Sequence, residues 1–326
     1  MPALNPALRQ MRNKLLKILA GLLAVSFVFF FFFPKDFFSP KEILFKIETG
    51  EGSKEIAERL QEAEIINWSS VFRFYVLISG QAGRLQAGTY DLDSGMNISE
   101  ITRMISKGRI ATDKFTIIEG WTLRDISSYF EEEGLFSSSE FLQFAGNPLD
   151  PDSLEGYLFP DTYILAREDG AEEAVDLMKS NFQKKIEPYL PVIEEKELSL
   201  SEVVTMASLI EKEVQTMEDK KIVSGIFWKR IKLGYPLQSC ASIAYIKGIS
   251  QWRYSAEDTK IDSPYNTYLN YGLPPGPISN PGLYSIEAAL YPTESPYLYY
   301  LSTPEGEIIY SRTLKEHNEA IELYLK

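Results

Sequence analysis

The stretch LSLSEVVTMASLIEKEVQ, residues 198–215, reads as one helix. Ser201 is the expected N-cap, and Glu202 places negative charge near the positive helix start. Val203, Ala207, Ile210, Val214 and Met217 recur at helical spacing and form one apolar face. Two carboxylates flank that stripe. At about 100° per residue, Glu211 falls on the Val204/Ala207 edge beside Ser208, Glu213 on the Met206/Leu209 edge, and Lys212 points to solvent. A carboxyl at the margin of an apolar stripe is partly desolvated, which raises its pKa and suits it to general-acid work. The small residues Ala207 and Ser208 leave room for a ligand beside Glu211. The competing reading is a pair of ordinary surface glutamates on an amphipathic helix.

Composition narrows the chemistry. A 326-residue chain that is 44% hydrophobic and 13% aromatic can bury a core and hold two small domains. A net charge of −13 argues against a nucleic-acid partner, which requires basic patches. With Cys240 the only cysteine and His317 the only histidine, no intramolecular disulfide and no Cys/His metal cluster can form, and no metal or other cofactor is expected. His317 lies in KEHNEAIELYL, an apparent C-terminal helix, and is read as a helix residue rather than a catalytic base. No P-loop or GxGxxG turn is present.

Residues 15–33 form an apolar run broken only by Lys17. At about 1.5 Å per residue they span roughly 28 Å, near the thickness of a bilayer core. Arg9, Arg12, Lys14 and Lys17 put the N-terminus in the cytoplasm by the positive-inside rule. No small-x-small cleavage site follows the run, which favours an anchor over a signal peptide. The expected organisation is a cytoplasmic tail (1–14), a single transmembrane helix (15–33), a membrane-proximal subdomain (41–111) and a larger domain (112–326) outside the cytoplasmic membrane.

An internal repeat follows. FKIETGEGSKEIAERLQEAEII begins at Phe45 and FTIIEGWTLRDISSYFEEEGLF at Phe115, matching at Phe45/Phe115, Ile47/Ile117, Gly50/Gly120, Ile56/Ile126, Glu62/Glu132 and Ile65/Leu135. Each copy predicts strand, glycine turn, two helices and a returning strand. That β-α-α-β order, over 45–90 and 115–165, is similar to the LysM-like modules that hold N-acetylglucosamine polymers; a duplicated structural spacer is the alternative. The second copy's closing stretch, LEGYLFPDTYIL (154–165), reads as an edge strand with Glu155, Tyr157, Phe159, Asp161 and Tyr163 alternating, an array of acids and aromatics suited to sugars. A helix is expected at 97–107, another at 171–189, and another at 220–233 ending on Gly234, with Lys221, Lys229, Arg230 and Lys232 on its polar side. SPYLYYLSTPEGEIIYS reads as a β-hairpin around Pro304-Glu305-Gly306. The Pro/Gly-dense segment containing YNTY (265–268) and GLPPGPISNPG (272–282) reads as a rigid loop placed for ligand contacts.

ASLIEKE, RIKLGYPLQS, YNTY, GLPPGPISNPG and SPYLYYL, taken in order with LEGYLFPDTY and the N-terminal anchor, resemble the YceG-like (MltG) family of endolytic murein transglycosylases over nearly the whole chain from Phe45. The resemblance implies an α+β fold: a transmembrane helix, LysM-like units and a mixed α/β catalytic domain. It implies a lyase that cuts the β-1,4 bond between N-acetylmuramic acid and N-acetylglucosamine in peptidoglycan strands and leaves a 1,6-anhydro end, ending strand elongation, with cell-wall synthases as partners. The family's catalytic glutamate is implied at Glu211, with Glu213 the runner-up, and Gln238, Tyr265, Asn266, Asn280, Glu155 and Tyr157 lining the sugar cleft. One departure is Cys240, in the string LQSC, where the family usually has an acid. The alternative function is a non-catalytic, membrane-anchored peptidoglycan-binding or scaffold protein; a hydrolytic muramidase is the third.

Overall fold

The computed structural model describes residues 10–11, 14–19, 21–22, 25, 33–36, 38–251 and 254–325. Much of the expected membrane helix at 15–33 lies outside them, and no helix among the described residues is long and apolar enough to cross a membrane. The chain forms two compact units: residues 1–113 with 166–168, and residues 114–165 with 169–326.

In the first unit, β1 (Glu42–Ile47), α1 (Ser53–Glu62), α2 (Ser69–Ile78) and β2 (Gly88–Asp93) realise the first repeat, and α3 (Ile98–Ser106) follows. β1 and β2 pair antiparallel with Phe45 opposite Tyr90 and Ile47 opposite Gly88. Phe45, Ile47, Ile56, Leu60, Phe72 and Tyr90 close the core. Asn97 caps α3 through a reciprocal pair with Glu100.

The repeat recurs with β3 (Thr112–Thr116), α4 (Leu123–Glu132), α5 (Ser138–Ala145) and β4 (Thr162–Ala166). The matched glycines share a role: Gly50 and Gly120 turn the chain at φ 93° and 80°, a region that favours glycine. Phe115, Phe130 and Phe141 pack as edge-on and tilted rings in this copy's core. The expected strand over 154–165 is a correction. Only its last part is β4; the chain before it turns at Gly156 (φ 85°), where a Cβ would stand 2.5 Å from Pro277 Cβ. The alternating array of acids and aromatics therefore does not exist.

The second unit continues with α6 (Ala171–Ile186), α7 (Leu190–Glu195), α8 (Leu200–Glu213), α9 (Met217–Leu233), α10 (Cys240–Lys247), α11 (Leu283–Leu290), the hairpin β5 (Tyr299–Ser302)–β6 (Ile308–Ser311) and α12 (Leu314–Tyr324). The hairpin lies where the Pro304-Glu305-Gly306 turn predicts it. α8 is the spine. Ser199, not Ser201, is its N-cap: its Oγ accepts the Glu202 amide at 3.1 Å and the Glu202 carboxylate accepts the Ser199 amide at 2.8 Å. Every residue from Val203 to Ile210 is buried, so the middle of the helix is enclosed on all sides rather than amphipathic, and exposed residues are confined to its two ends. Val214 is extended and ends α8; Met217 belongs to α9, not to the α8 stripe. Gly234 ends α9 in the left-handed conformation, as expected. Lys220 and Arg230 are buried in α9, against the expectation of an outer basic face for Arg230.

Candidate active site

The two glutamates at the end of α8 face different surroundings. Glu211 points at α9 and at the start of α11. Its Oε1 accepts from Lys220 Nζ at 2.7 Å, and its Oε2 accepts the Gly282 amide at 2.9 Å and the Ser285 hydroxyl at 2.7 Å. Both ion-pair side chains are nearly sealed, 3% exposed for Lys220 and 8% for Glu211. The carboxylate thus accepts from an ammonium, an amide and a hydroxyl that hold three segments together. Ala207 and Ser208 leave room for chain rather than sugar. Ser208 Oγ accepts the Ile278 amide at 3.0 Å, and the Ser279 hydroxyl donates to the Ser208 carbonyl at 3.2 Å. The segment 276–282 is buried throughout, so most of the Pro/Gly loop expected to meet ligand is a strap across α8.

Glu213 faces a cavity of about 480 Å³. The Ser239 hydroxyl donates to its carboxyl, and the Tyr300 hydroxyl and the Ala241 amide also reach it. Burial pushes its pKa up, and these three donors only partly oppose the shift. Arg230, Gln238, Cys240, Tyr268, Tyr299 and His317 stand around the same space, and Glu213 is the only carboxylate among the described residues that line it. Gln238 adopts φ 54°, a left-handed backbone rare outside glycine, and its side chain accepts from Arg230 Nη2 at 2.5 Å. YNTY fixes this turn from behind: the Gln238 amide donates to the Thr267 carbonyl at 3.0 Å and the Ser239 amide to Thr267 Oγ1 at 3.0 Å. Cys240 Sγ lies 3.1 Å from the Tyr268 hydroxyl, and burial raises the thiol pKa. The His317 ring stacks on Tyr299 with centroids 5.4 Å apart, and burial and Arg230 lower its pKa, leaving a neutral imidazole at neutral pH.

Of the residues expected to contact sugar, Gln238 is the one that shares this cavity with Glu213. The others do not line it. Glu155 is 2% exposed; its carboxyl accepts the Leu123 amide at 3.2 Å, and burial raises its pKa to about 8. Asn280 is fully buried: its Oδ1 accepts the Leu158 amide at 2.9 Å, and its Nδ2 donates to the Trp121 carbonyl at 3.0 Å and to Glu155 at 3.3 Å. Asn266 staples its own loop, donating to the Thr259 and Ile261 carbonyls at 3.1 and 2.7 Å. Tyr265 packs on Tyr245, and Tyr157 on Phe182. Arg230, Tyr268, Tyr299 and His317 went unread as site residues. The strings YNTY and SPYLYYL marked the region of three of the cavity's tyrosines, but nothing in the sequence pointed Arg230 and His317 at the same space.

The sequence model described as the YceG-like family matches residues 45–323. A Bacillus subtilis (strain 168) protein named endolytic murein transglycosylase is 34% identical over 304 residues, covering 86% of this chain and 84% of that protein. A Streptococcus pneumoniae (serotype 2, strain D39) protein of the same name is 32% identical over 342 residues; the match covers 92% of this chain and 62% of that longer relative. The 2.6 Å crystal structure of a YceG-like protein from Listeria monocytogenes superposes with a TM-score of 0.60 at 32% identity, covering 86% of this chain and all of that one. With the family's pattern spanning the repeat, the α8 spine and the hairpin that closes the cavity, this chain belongs to the YceG-like family.

Proposed function

We propose that this protein is an endolytic murein transglycosylase, a lyase of peptidoglycan glycan strands, and that Glu213 rather than Glu211 is its acid. The observation that carries the assignment is the contrast between the carboxyls. Glu213 is desolvated, has a raised pKa and opens on the large cavity. Glu211 is tied to Lys220, Gly282 and Ser285. Protonated Glu213 donates to the oxygen of the β-1,4 bond as the bond between that oxygen and C1 of N-acetylmuramic acid breaks. The C6 hydroxyl of the same sugar attacks C1, and its proton passes to the Glu213 carboxylate. The products are a free hydroxyl on N-acetylglucosamine and a 1,6-anhydro ring; no water is added and the acid is regenerated. Hydrolysis usually needs a second carboxylate at a set separation. A lone carboxyl suits intramolecular attack, to which tethering lends a large effective molarity.

The remaining parts of the reading rest on the sequence. The run 15–33 anchors the chain in the cytoplasmic membrane with the N-terminus inside, and the repeat units act as LysM-like holders of glycan, in the neighbourhood of cell-wall synthases. Protease added outside spheroplasts then degrades the chain beyond Pro40; a protected C-terminal region overturns that topology. The function itself is tested by digesting purified glycan strands and weighing the fragments. Ends lighter than hydrolysed ends by one water, formed by the wild type and by no folded Glu213→Gln protein, support the proposal. Hydrolysed ends overturn it in favour of a muramidase, and no cleavage by the wild type in favour of a binding protein.

A further inference from the structure

Helix α2 (Ser69–Ile78) carries apolar side chains on two opposite faces. Phe72 and Val76 are buried in the first unit's core. Phe74, Leu77 and Ile78 point the other way and are 60%, 70% and 61% exposed. At about 100° per residue these three fall within one ~100° arc, so they form a stripe rather than scattered exposures. A contiguous apolar stripe on a surface marks something that covers it.

Charge indicates what covers this one. The chain carries a net charge of −13, yet no Asp or Glu occurs between Glu64 and Asp91. The charged residues in that interval are Arg73 and Arg84, both exposed. An apolar stripe on a stretch of chain that carries arginines and no acids fits an anionic lipid surface, where apolar side chains enter the headgroup boundary and each nearby cation adds attraction. Placement agrees. The apolar run ends at Phe33 and β1 begins at Glu42, and about nine residues at ~3.5 Å each keep this unit within roughly 30 Å of the bilayer.

We infer that the Phe74–Leu77–Ile78 face of α2 docks on the outer surface of the anchoring membrane, in contact with anionic phospholipid; this rests on the anchored topology proposed above. Docking lays the first unit flat on the lipid, so the bilayer fixes the height of the membrane-proximal unit.

The test uses the full chain with Cys240→Ser, reconstituted in phosphatidylglycerol-containing vesicles, with a nitroxide on Leu77→Cys or, as a control, on exposed Lys54→Cys of α1. The expected result is that the position 77 label is several-fold less accessible to a nickel chelate than the position 54 label and remains accessible to oxygen. The protection should fall with Arg73→Glu or with phosphatidylcholine alone. A position 77 label as open to nickel as position 54, on chain that resists an alkaline wash of the vesicles, overturns the docking and leaves the anchor standing. Shielding from both oxygen and nickel means protein covers the face and also overturns it. Chain that washes off the vesicles removes the anchor, and the inference with it.

Discussion

Lys220 Nζ stands 2.7 Å from Glu211 Oε1 in a part of the second unit that water scarcely reaches. The pair bolts α8 to α9, and through Gly282 and Ser285 it holds the start of α11. Breaking one side of a buried ion pair leaves an uncompensated charge, at a cost of about 3–5 kcal/mol. Lys220→Met and Glu211→Gln are each expected to lower the unfolding midpoint strongly, and the double variant to lie above the Lys220→Met single. If Glu211→Gln melts like the wild type yet is inactive, Glu211 is the acid after all.

Glu213→Gln keeps shape but cannot give up a proton. Its rate on glycan strands should fall by roughly 10²–10⁴, the usual worth of general acid–base catalysis, with circular dichroism and melting close to wild type. The raised pKa sets the pH profile: the acid works while protonated, so wild-type activity persists above the ordinary carboxyl range and declines as pH rises through the elevated value. A Glu213→Gln enzyme with wild-type turnover contradicts the assignment.

Glu155 should report on stability instead. Its pKa is raised from 4.5 to about 8 by burial, so the folded state holds a proton that the unfolded state releases. That proton favours folding at low pH, and its contribution is lost as pH climbs from about 4.5 towards 8. Glu155→Gln removes this slope; denaturant midpoints measured from pH 5 to 9 should be flatter than those of the wild type.

Cys240→Ser is expected to keep most activity, since a hydroxyl can replace the thiol opposite Tyr268. Cys240→Asp, which restores the family's usual acid, should also be tolerated. A loss as deep as that of Glu213→Gln in either variant would show that the thiol takes part in the chemistry.

Gln238 holds a left-handed backbone that costs about 1–3 kcal/mol in a side-chain-bearing residue. Gln238→Gly should relieve strain and hold or raise the melting midpoint while slowing cleavage, because Arg230 loses its partner at the cavity wall. Equal activity from the glycine variant would assign the strain to the fold alone.

Where local pattern and tertiary burial agree, the sequence was readable. The element order of the repeat, the Gly234 stop and the Pro304-Glu305-Gly306 turn rest on short-range rules and stand as read. The site was harder because the middle of α8 is enclosed on every side. An angular argument assumes one wet face along the helix, and without one it cannot say which glutamate meets the ligand. Lys220, nine positions on, decides where Glu211 points, and its burial leaves no mark in a string of charged residues. The Pro/Gly loop misled for the opposite reason: rigidity and aromatics suggest a ligand loop, yet Ile278 and Asn280 are packed inside.

The strap from Gly276 to Gly282 and the cavity wall at Tyr300 and His317 carry a temporal consequence. Glu213 is synthesised well before the residues that desolvate it, and contacts so distant along the chain form late because their loops must close first. On the anchored topology and the Glu213 assignment proposed above, a chain emerging through a membrane has that carboxyl in open water until Tyr300 and His317 are across, and strand cutting is expected only once they have packed around it.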